Sequence, residues 1–225
     1  MFISTDNRNL LKLWDTSRLV PVMQFNTVPG GGNVARFCPN PMTIAIGTRS
    51  GVVFCDLRIP SCSSKIDRYS KYIRCLEWSN EFEIVCLDDS GVVTEFDTRN
   101  SKQKRIISSS LLFTDMDKSD AFLMLAGSEG HFVNCSVQIY DIKSFSLVTQ
   151  FPTYPVFPNT EIHCTSKNIY LPNRNCIDTY CIRNGIHSSH EVSGGAAKIL
   201  ENFSTNEIYV LPFDHGIRIL ESIPR

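Results

Sequence analysis

Short segments ending in an aromatic or apolar residue followed by Asp return along the chain at nearly constant spacing. They read Leu13-Trp14-Asp15, Phe54-Cys55-Asp56, Glu95-Phe96-Asp97 and Ile139-Tyr140-Asp141, with Asp-to-Asp intervals of 41, 41 and 44 residues. Two looser copies, Thr179-Tyr180-Cys181 and Ile219-Leu220-Glu221, follow at 40-residue steps. Such a period constrains the fold more than composition can. Each copy is one supersecondary unit that cannot bury its apolar face alone, so neighbouring units must stack.

The inside of each unit says what is repeated. An apolar run leads to a tight polar turn, and alternating residues follow. Thr43–Gly47 runs into Thr48-Arg49-Ser50-Gly51 and then Val52–Asp56; Glu83–Leu87 runs into Asp88-Asp89-Ser90-Gly91 and then Val92–Asp97. Asn168–Pro172 with Asn173-Arg174-Asn175, and Asn206–Leu211 with Asp214-His215-Gly216, continue the series. Gly or Asn closes each turn because a hairpin connection favours positive φ there. β-Branched and aromatic residues flank the turns, as strands require. No stretch keeps the three-and-four spacing of a helix for a dozen positions. Hairpins at this period, with four strands per unit, predict an all-β propeller of about five to six blades. It occupies one domain, residues 1–225, with blade ends near 15, 56, 97, 141, 181 and 221.

Labelling the strands of a blade a to d from the inside outward, the hairpins above are b–c pairs. The a strands fall at Val34–Cys38, Ile73–Trp78, Leu111–Asp115, Glu161–Thr165 and Ala197–Phe203, and the d strands at Val22–Asn26, Ser63–Asp67, Lys104–Ser108, Leu147–Phe151 and His190–Ser193. An insertion at Gly130–Ser136 lengthens the 97-to-141 interval as a projecting loop. The chain opens in a b strand, Phe2-Ile3-Ser4, and ends after a c strand, so the count predicts an incomplete ring whose N-terminal portion is missing.

Apolar residues at 42% and charged residues at 20% are those of an ordinary globular protein. A formal net charge of −1 without a Lys/Arg run gives no support for direct nucleic-acid binding. The longest apolar run, Ala121–Ala126, is too short to cross a bilayer, and Met1–Asp6 is not a signal peptide. Nine cysteines at irregular spacing read as free, reduced, mostly buried thiols of a cytosolic or nuclear protein. On that reading the sequons at Asn134 and Asn202 are chance matches.

Three groups of residues carry a resemblance. They are Leu11-Lys12-Leu13-Trp14-Asp15-Thr16 followed by Pro21–Phe25; Ile44–Arg49 leading into Phe54-Cys55-Asp56-Leu57-Arg58; and Ile169-Tyr170-Leu171-Pro172 with Tyr180 before Asn184-Gly185. With these the chain resembles the WD-repeat proteins, and among them the Cockayne syndrome group A family of transcription-coupled repair receptors. The resemblance implies a non-enzymatic protein-interaction scaffold. It further implies a substrate receptor of a cullin-RING ubiquitin ligase in transcription-coupled nucleotide excision repair, nuclear rather than cytoplasmic. The other reading is a WD-repeat scaffold subunit of another complex in trafficking, chromatin or RNA processing. Receptors of this kind dock a damage-binding adaptor protein through an Asp-x-Arg element, which Asp56-Leu57-Arg58 and Asp97-Thr98-Arg99 match. At Asp15 the Arg comes one position late, at Arg18. Asp141-Ile142-Lys143 has Lys, which lacks the planar fork of Arg. Asp-x-Arg also has a purely structural use, the Asp stabilising the turn and the Arg lying in solvent. The partners implied are proteins, with neither nucleic acid nor membrane bound directly, and no cofactor.

Little else in the chain points to chemistry. His163, Cys164, Cys176, Cys181, His187 and His190 lie close in sequence, yet no Cys-x-x-Cys pair exists among them, and no metal site is expected. Gly30-Gly31-Gly32 has no helix after it to make a phosphate cradle. Asp88-Asp89 reads as exposed turn chemistry. Without the Gly-His pair that supports hydrogen-bonded tetrads in regular WD repeats, each blade is expected to rely more on packing than on that network.

Overall fold

A computed structural model of the protein describes residues 2–5, 10–15, 17–25, 31–40, 42–59, 61–66, 71–130, 133–153, 161–173, 175–192, 198–202, 207–211 and 218–220. Among these residues there are 22 strands and no helix. The strands make six antiparallel sheets, each a meander in chain order. The first holds β1 (Phe2–Thr5), β2 (Leu11–Asp15) and β3 (Val20–Phe25). The second holds β4 (Gly32–Phe37), β5 (Thr43–Thr48), β6 (Gly51–Asp56) and β7 (Ser61–Lys65); the third, β8 (Ile73–Asn80), β9 (Glu83–Asp88), β10 (Val93–Asp97) and β11 (Lys102–Ile107). The fourth holds β12 (Leu112–Lys118), β13 (Phe122–Glu129), β14 (Val133–Asp141) and β15 (Leu147–Pro152). The fifth is β16 (His163–Cys164), β17 (Asn168–Pro172), β18 (Cys176–Cys181) and β19 (His187–Glu191), and the sixth is β20 (Lys198–Asn202), β21 (Glu207–Leu211) and β22 (Arg218–Leu220). This is an all-β chain of blade-like sheets, one for each copy of the sequence repeat. The first sheet pairs as b, c and d strands and the last as a, b and c.

Two compact units divide the chain, residues 1–109 with the first three sheets and residues 110–225 with the last three. In the second and third sheets the middle strands β5, β6, β9 and β10 are buried on both faces, and in β5, β6 and β9 the alternating positions are mainly apolar on both sides. Val53 and Cys55 of β6 pack with Leu11 and Phe25 of the first sheet, while Val52 and Phe54 pack with Leu76 and Trp78 of the third. Each such side chain stabilises the fold by about 1.5–3 kcal/mol when fully buried. Polar ties join the a strands of the second and third sheets: Arg36 Nε donates to Glu77 at 2.8 Å, and Asn33 Nδ2 donates to the Ile73 carbonyl at 2.8 Å. In the second unit the Asp115 carboxylate accepts from the Ile162 backbone N–H at 2.5 Å, and Asp117 accepts from that of Cys164 at 2.8 Å. There one sheet's a strand supplies acceptors to the next sheet's a strand.

Several expectations need correction. Gly130–Ser136 is not simply a loop. Most of the insertion lengthens the b–c hairpin, so that β13 and β14 have eight and nine residues; residues 131–132 lie outside the described set. The d strands of the first three sheets and the fifth begin two or three residues before their expected starts, because only a tight turn separates them from the c strand. Gly51 (φ 120°) and Gly91 (φ 76°) take the left-handed conformation expected of them, but Asn173 and Asn175 do not, so that hairpin closes without it. Asp88 is fully buried, not exposed; it accepts from the Ser90 and Val92 N–H groups and meets Lys71 Nζ at 3.2 Å. Buried polar networks other than the hydrogen-bonded tetrad do occur within the blades. The Glu95 carboxylate, fully buried in β10, accepts from Ser79 Oγ of β8 at 2.9 Å and from Arg105 Nε of β11 at 2.6 Å. Asn26, Asp67, Asp214-His215-Gly216, Glu221 and the second sequon, Asn202-Phe203-Ser204, fall wholly or partly outside the described residues.

Candidate functional site

The c–d turns carry exposed charge in four successive copies of the repeat, at Arg18, Arg58, Arg99 and Lys143. In the second sheet the Asp56 carboxylate closes the turn from inside: Oδ1 accepts from the Arg58 N–H at 2.8 Å and from Arg58 Nε at 2.9 Å, and Oδ2 accepts from Nη2 at 2.6 Å. The third sheet repeats the figure. Asp97 Oδ1 accepts from the Arg99 N–H and Nε, both at 3.0 Å, and Oδ2 accepts from Nη2 at 2.7 Å. Two parallel N–H···O bonds between a guanidinium and a carboxylate make the strong, planar version of an ion pair. The Arg58 and Arg99 guanidinium groups, with their own N–H groups, hold Asp56 and Asp97 down at about 2. The arginine side chains remain 71% and 60% exposed. Each is held at one end on its own chain and keeps most of its side-chain surface in solvent.

The neighbouring turns are built differently. Asp15 is occupied by the Ser17 N–H and hydroxyl, leaving Arg18 3.9 Å from the carboxylate and 80% exposed. Asp141 accepts from the Lys143 and Ser144 N–H groups and the Ser144 hydroxyl. Neither Asp makes a fork. The one-residue displacement of Arg18 and the substitution by Lys143, both legible in the sequence, are enough to account for this.

Beside each forked turn lies an a–b turn of the same sheet. The Leu57 N–H donates to the Met42 carbonyl and the Thr98 N–H to the Phe82 carbonyl, each at 2.8 Å. Cys38 Sγ lies 3.6 Å from the Glu81 carbonyl, which brings the two a–b turns to the same end of adjacent sheets. Met42, Ile59 and Phe82 are exposed there, and the Arg99 guanidinium stands 4.7 Å over the Phe82 ring. The arrangement offers planar cations interleaved with apolar side chains, a combination suited to gripping a protein surface rather than to making or breaking bonds.

One feature of this site was not anticipated. Cys55 and Cys62 form a disulfide, with Cα atoms 4.1 Å apart, so these two cysteines are not the free thiols expected. The signal was present in the register. In four c–d pairs the ladder shifts at the residue before the closing Asp, and the residue seven positions on then lies opposite: Trp14 with Pro21, Cys55 with Cys62, Phe96 with Gln103, Tyr140 with Leu147. The other seven cysteines are free, five of them buried. Burial pushes the thiols of Cys38, Cys86 and Cys135 up, away from the reactive thiolate.

The histidine- and cysteine-rich stretch is dispersed. His163 Nδ1 pairs with Asp117 at 3.3 Å and His187 Nε2 with the buried Asp178 at 3.1 Å, on β16 and β19. Among the described residues no three His, Cys, Asp or Glu side chains gather as a metal site would need, and no helix is long and apolar enough to cross a membrane. A cavity of about 460 Å³ beside β14 and β15 is lined largely by neutral polar groups, including Ser136, Gln138 and Gln150. Its floor is ordered by Tyr140 donating to Gln138 and Gln138 donating to Gln150.

No protein-family model matches the chain, and no curated protein matches it.

Proposed function

We propose that the protein is a WD-repeat β-propeller scaffold that serves as substrate receptor of a cullin-RING ubiquitin ligase in transcription-coupled repair. In this reading the turns carrying Arg58 and Arg99 dock the ligase's adaptor. The observation that carries the reading is the repetition of one fork. Asp56–Arg58 and Asp97–Arg99 have the same geometry at the same end of two adjacent sheets, whereas the flanking Asp15 and Asp141 turns lack it. A structural turn needs only the Asp, as those two turns show. The forked arginines add a rigid, exposed cation that the turn itself does not require. Held in advance, each arginine loses little side-chain freedom on binding, which favours affinity.

Capture of the damage-binding adaptor from nuclear extract tests this. Arg58→Glu with Arg99→Glu is expected to lower adaptor recovery at least about tenfold, as loss of a central arginine anchor does at protein interfaces. Arg18→Glu, on a turn without a fork, should leave recovery unchanged. Recovery of a different multiprotein complex, with no adaptor, would point to a scaffold role elsewhere and remove the receptor reading.

A further inference from the structure

The two forked turns do the same thing with different locks. Around Arg99 the locks are non-covalent: the Thr98 hydroxyl donates to the Phe82 carbonyl at 2.9 Å, Asn100 Oδ1 accepts from the Lys102 N–H at 2.9 Å, and the guanidinium stacks on Phe82. Around Arg58 the corresponding residues are Leu57 and Ile59, whose side chains can form neither hydrogen bond, and Met42 stands where Phe82 stands in the next sheet. What this turn has beside its fork and backbone bonds, and the other lacks, is the Cys55–Cys62 disulfide, spanning the six residues between them. Gln103 holds the position of Cys62 in the other sheet, opposite Phe96. The two sulfurs differ in access, since Cys55 is fully buried while Cys62 is half-buried.

We propose that Cys55 and Cys62 are a reversible dithiol–disulfide site, served by a low-molecular-weight thiol–disulfide couple of the glutathione class, whose redox state sets the order of the Arg58 turn. Reduction starts at the accessible sulfur. A glutathione thiolate attacks Cys62 Sγ, the S–S bond breaks, and Cys55 leaves as a thiolate that takes a proton from solvent. A second glutathione thiolate attacks the glutathione sulfur of the mixed disulfide. This releases Cys62, which is protonated in turn, and oxidised glutathione carries away the disulfide. Two electrons pass from two glutathiones to the protein, and oxidation runs the same steps backward. The Arg99 turn has no sulfur in its lock and stays ordered in both states.

The experiment equilibrates the full chain in glutathione buffers from reducing to oxidising, traps thiols by alkylation, and reads both the 55–62 pair and amide hydrogen exchange by mass spectrometry. The expected result is reversible conversion of this pair. On reduction, exchange in the Leu57–Ile59 segment should be about tenfold faster or more, and exchange at Thr98–Asn100 unchanged. A pair that stays in one state across the range overturns the proposal, and so does equal exchange of the Arg58 turn in both states. Cys62→Ser should behave as the reduced form in any buffer; should it fail to fold, the unsubstituted chain alone still decides. The consequence for docking, stronger adaptor capture by the oxidised form, rests on the function proposed above. A turn that responds to glutathione while no adaptor is captured upholds the redox site and removes only the docking reading.

Discussion

Arginine and lysine at one turn position make different surfaces in this chain. Arg58 and Arg99 reach back to their own aspartates with two guanidinium N–H groups each, whereas Asp141 makes no such fork and accepts from the Lys143 and Ser144 N–H groups and the Ser144 hydroxyl. The fork lowers the carboxylate's affinity for a proton, and that is measurable. Asp56 is expected to titrate near 2 rather than near its ordinary 3.8, with the Arg58 side-chain bonds as the largest cause. Because the folded value is depressed, the fork's contribution to order is fully present above about pH 4 and is lost as pH falls through about 2. Carboxyl carbon shifts followed by NMR should show this midpoint, and Arg58→Ala should move it up toward 3.8, leaving Asp97 where it was. A midpoint unchanged by that substitution would mean the backbone N–H groups alone hold the carboxylate. Arg99→Lys should lose both the fork and the stacking on Phe82, which no ammonium reproduces in the same geometry. The Asp-x-Arg elements were legible in the sequence as a motif, but the return of each arginine onto its own aspartate was not.

At the scale of single strands and sheets, legibility depended on how far apart the partners lie. The b–c hairpins announced themselves through a short polar turn between two apolar runs, and β5–β6 and β9–β10 fall within a residue or so of the expected bounds. The d strands of the first three sheets and the fifth were misplaced toward the C-terminus, since their exposed, mixed residues carry little pattern; β11 reads Lys-Gln-Lys-Arg-Ile-Ile. The Cys55–Cys62 pair was missed because it needs the c–d register, which depends on a bulge no composition rule reports. Glu95, named in the sequence only as part of the blade end Glu95-Phe96-Asp97, is fully buried between Ser79 and Arg105. Arg105→Met leaves that carboxylate without its cation and is expected to cost about 3 kcal/mol, while Glu95→Leu with Arg105→Met should recover most of it. Gly47 offers a second test. A Cβ there would stand 2.7 Å from Val34 Cγ1 and from Ile73 Cγ2, both β-branched and hard to move. Gly47→Ala should therefore destabilise the first unit by about 1–3 kcal/mol. Urea unfolding read by tryptophan fluorescence suits both tests, because the chain's two tryptophans, Trp14 and Trp78, lie in that unit.

Across the whole molecule, six sheets succeed one another in sequence order, three in each compact unit. Among the described residues the sheets at the two ends have three strands and the four between them have four. Stability in such arrays is a sum of unit and neighbour terms, so it is expected to grade along the chain. Native-state hydrogen exchange should show the greatest protection in β9–β10 and β13–β14 and the least in β1–β3 and β20–β22. Uniform protection throughout would show a single cooperative block instead. The strictly sequential pairing also bears on how the chain is made. Among the described residues every strand pairs only with its neighbours in sequence, so the pairings of one sheet can form as its own forty-odd residues leave the ribosome. At translation speeds of about 5–20 residues per second, that stretch of chain emerges every few seconds. The molecule can thus be assembled in instalments from its N-terminus, with only the newest instalment exposed to misfolding at any moment.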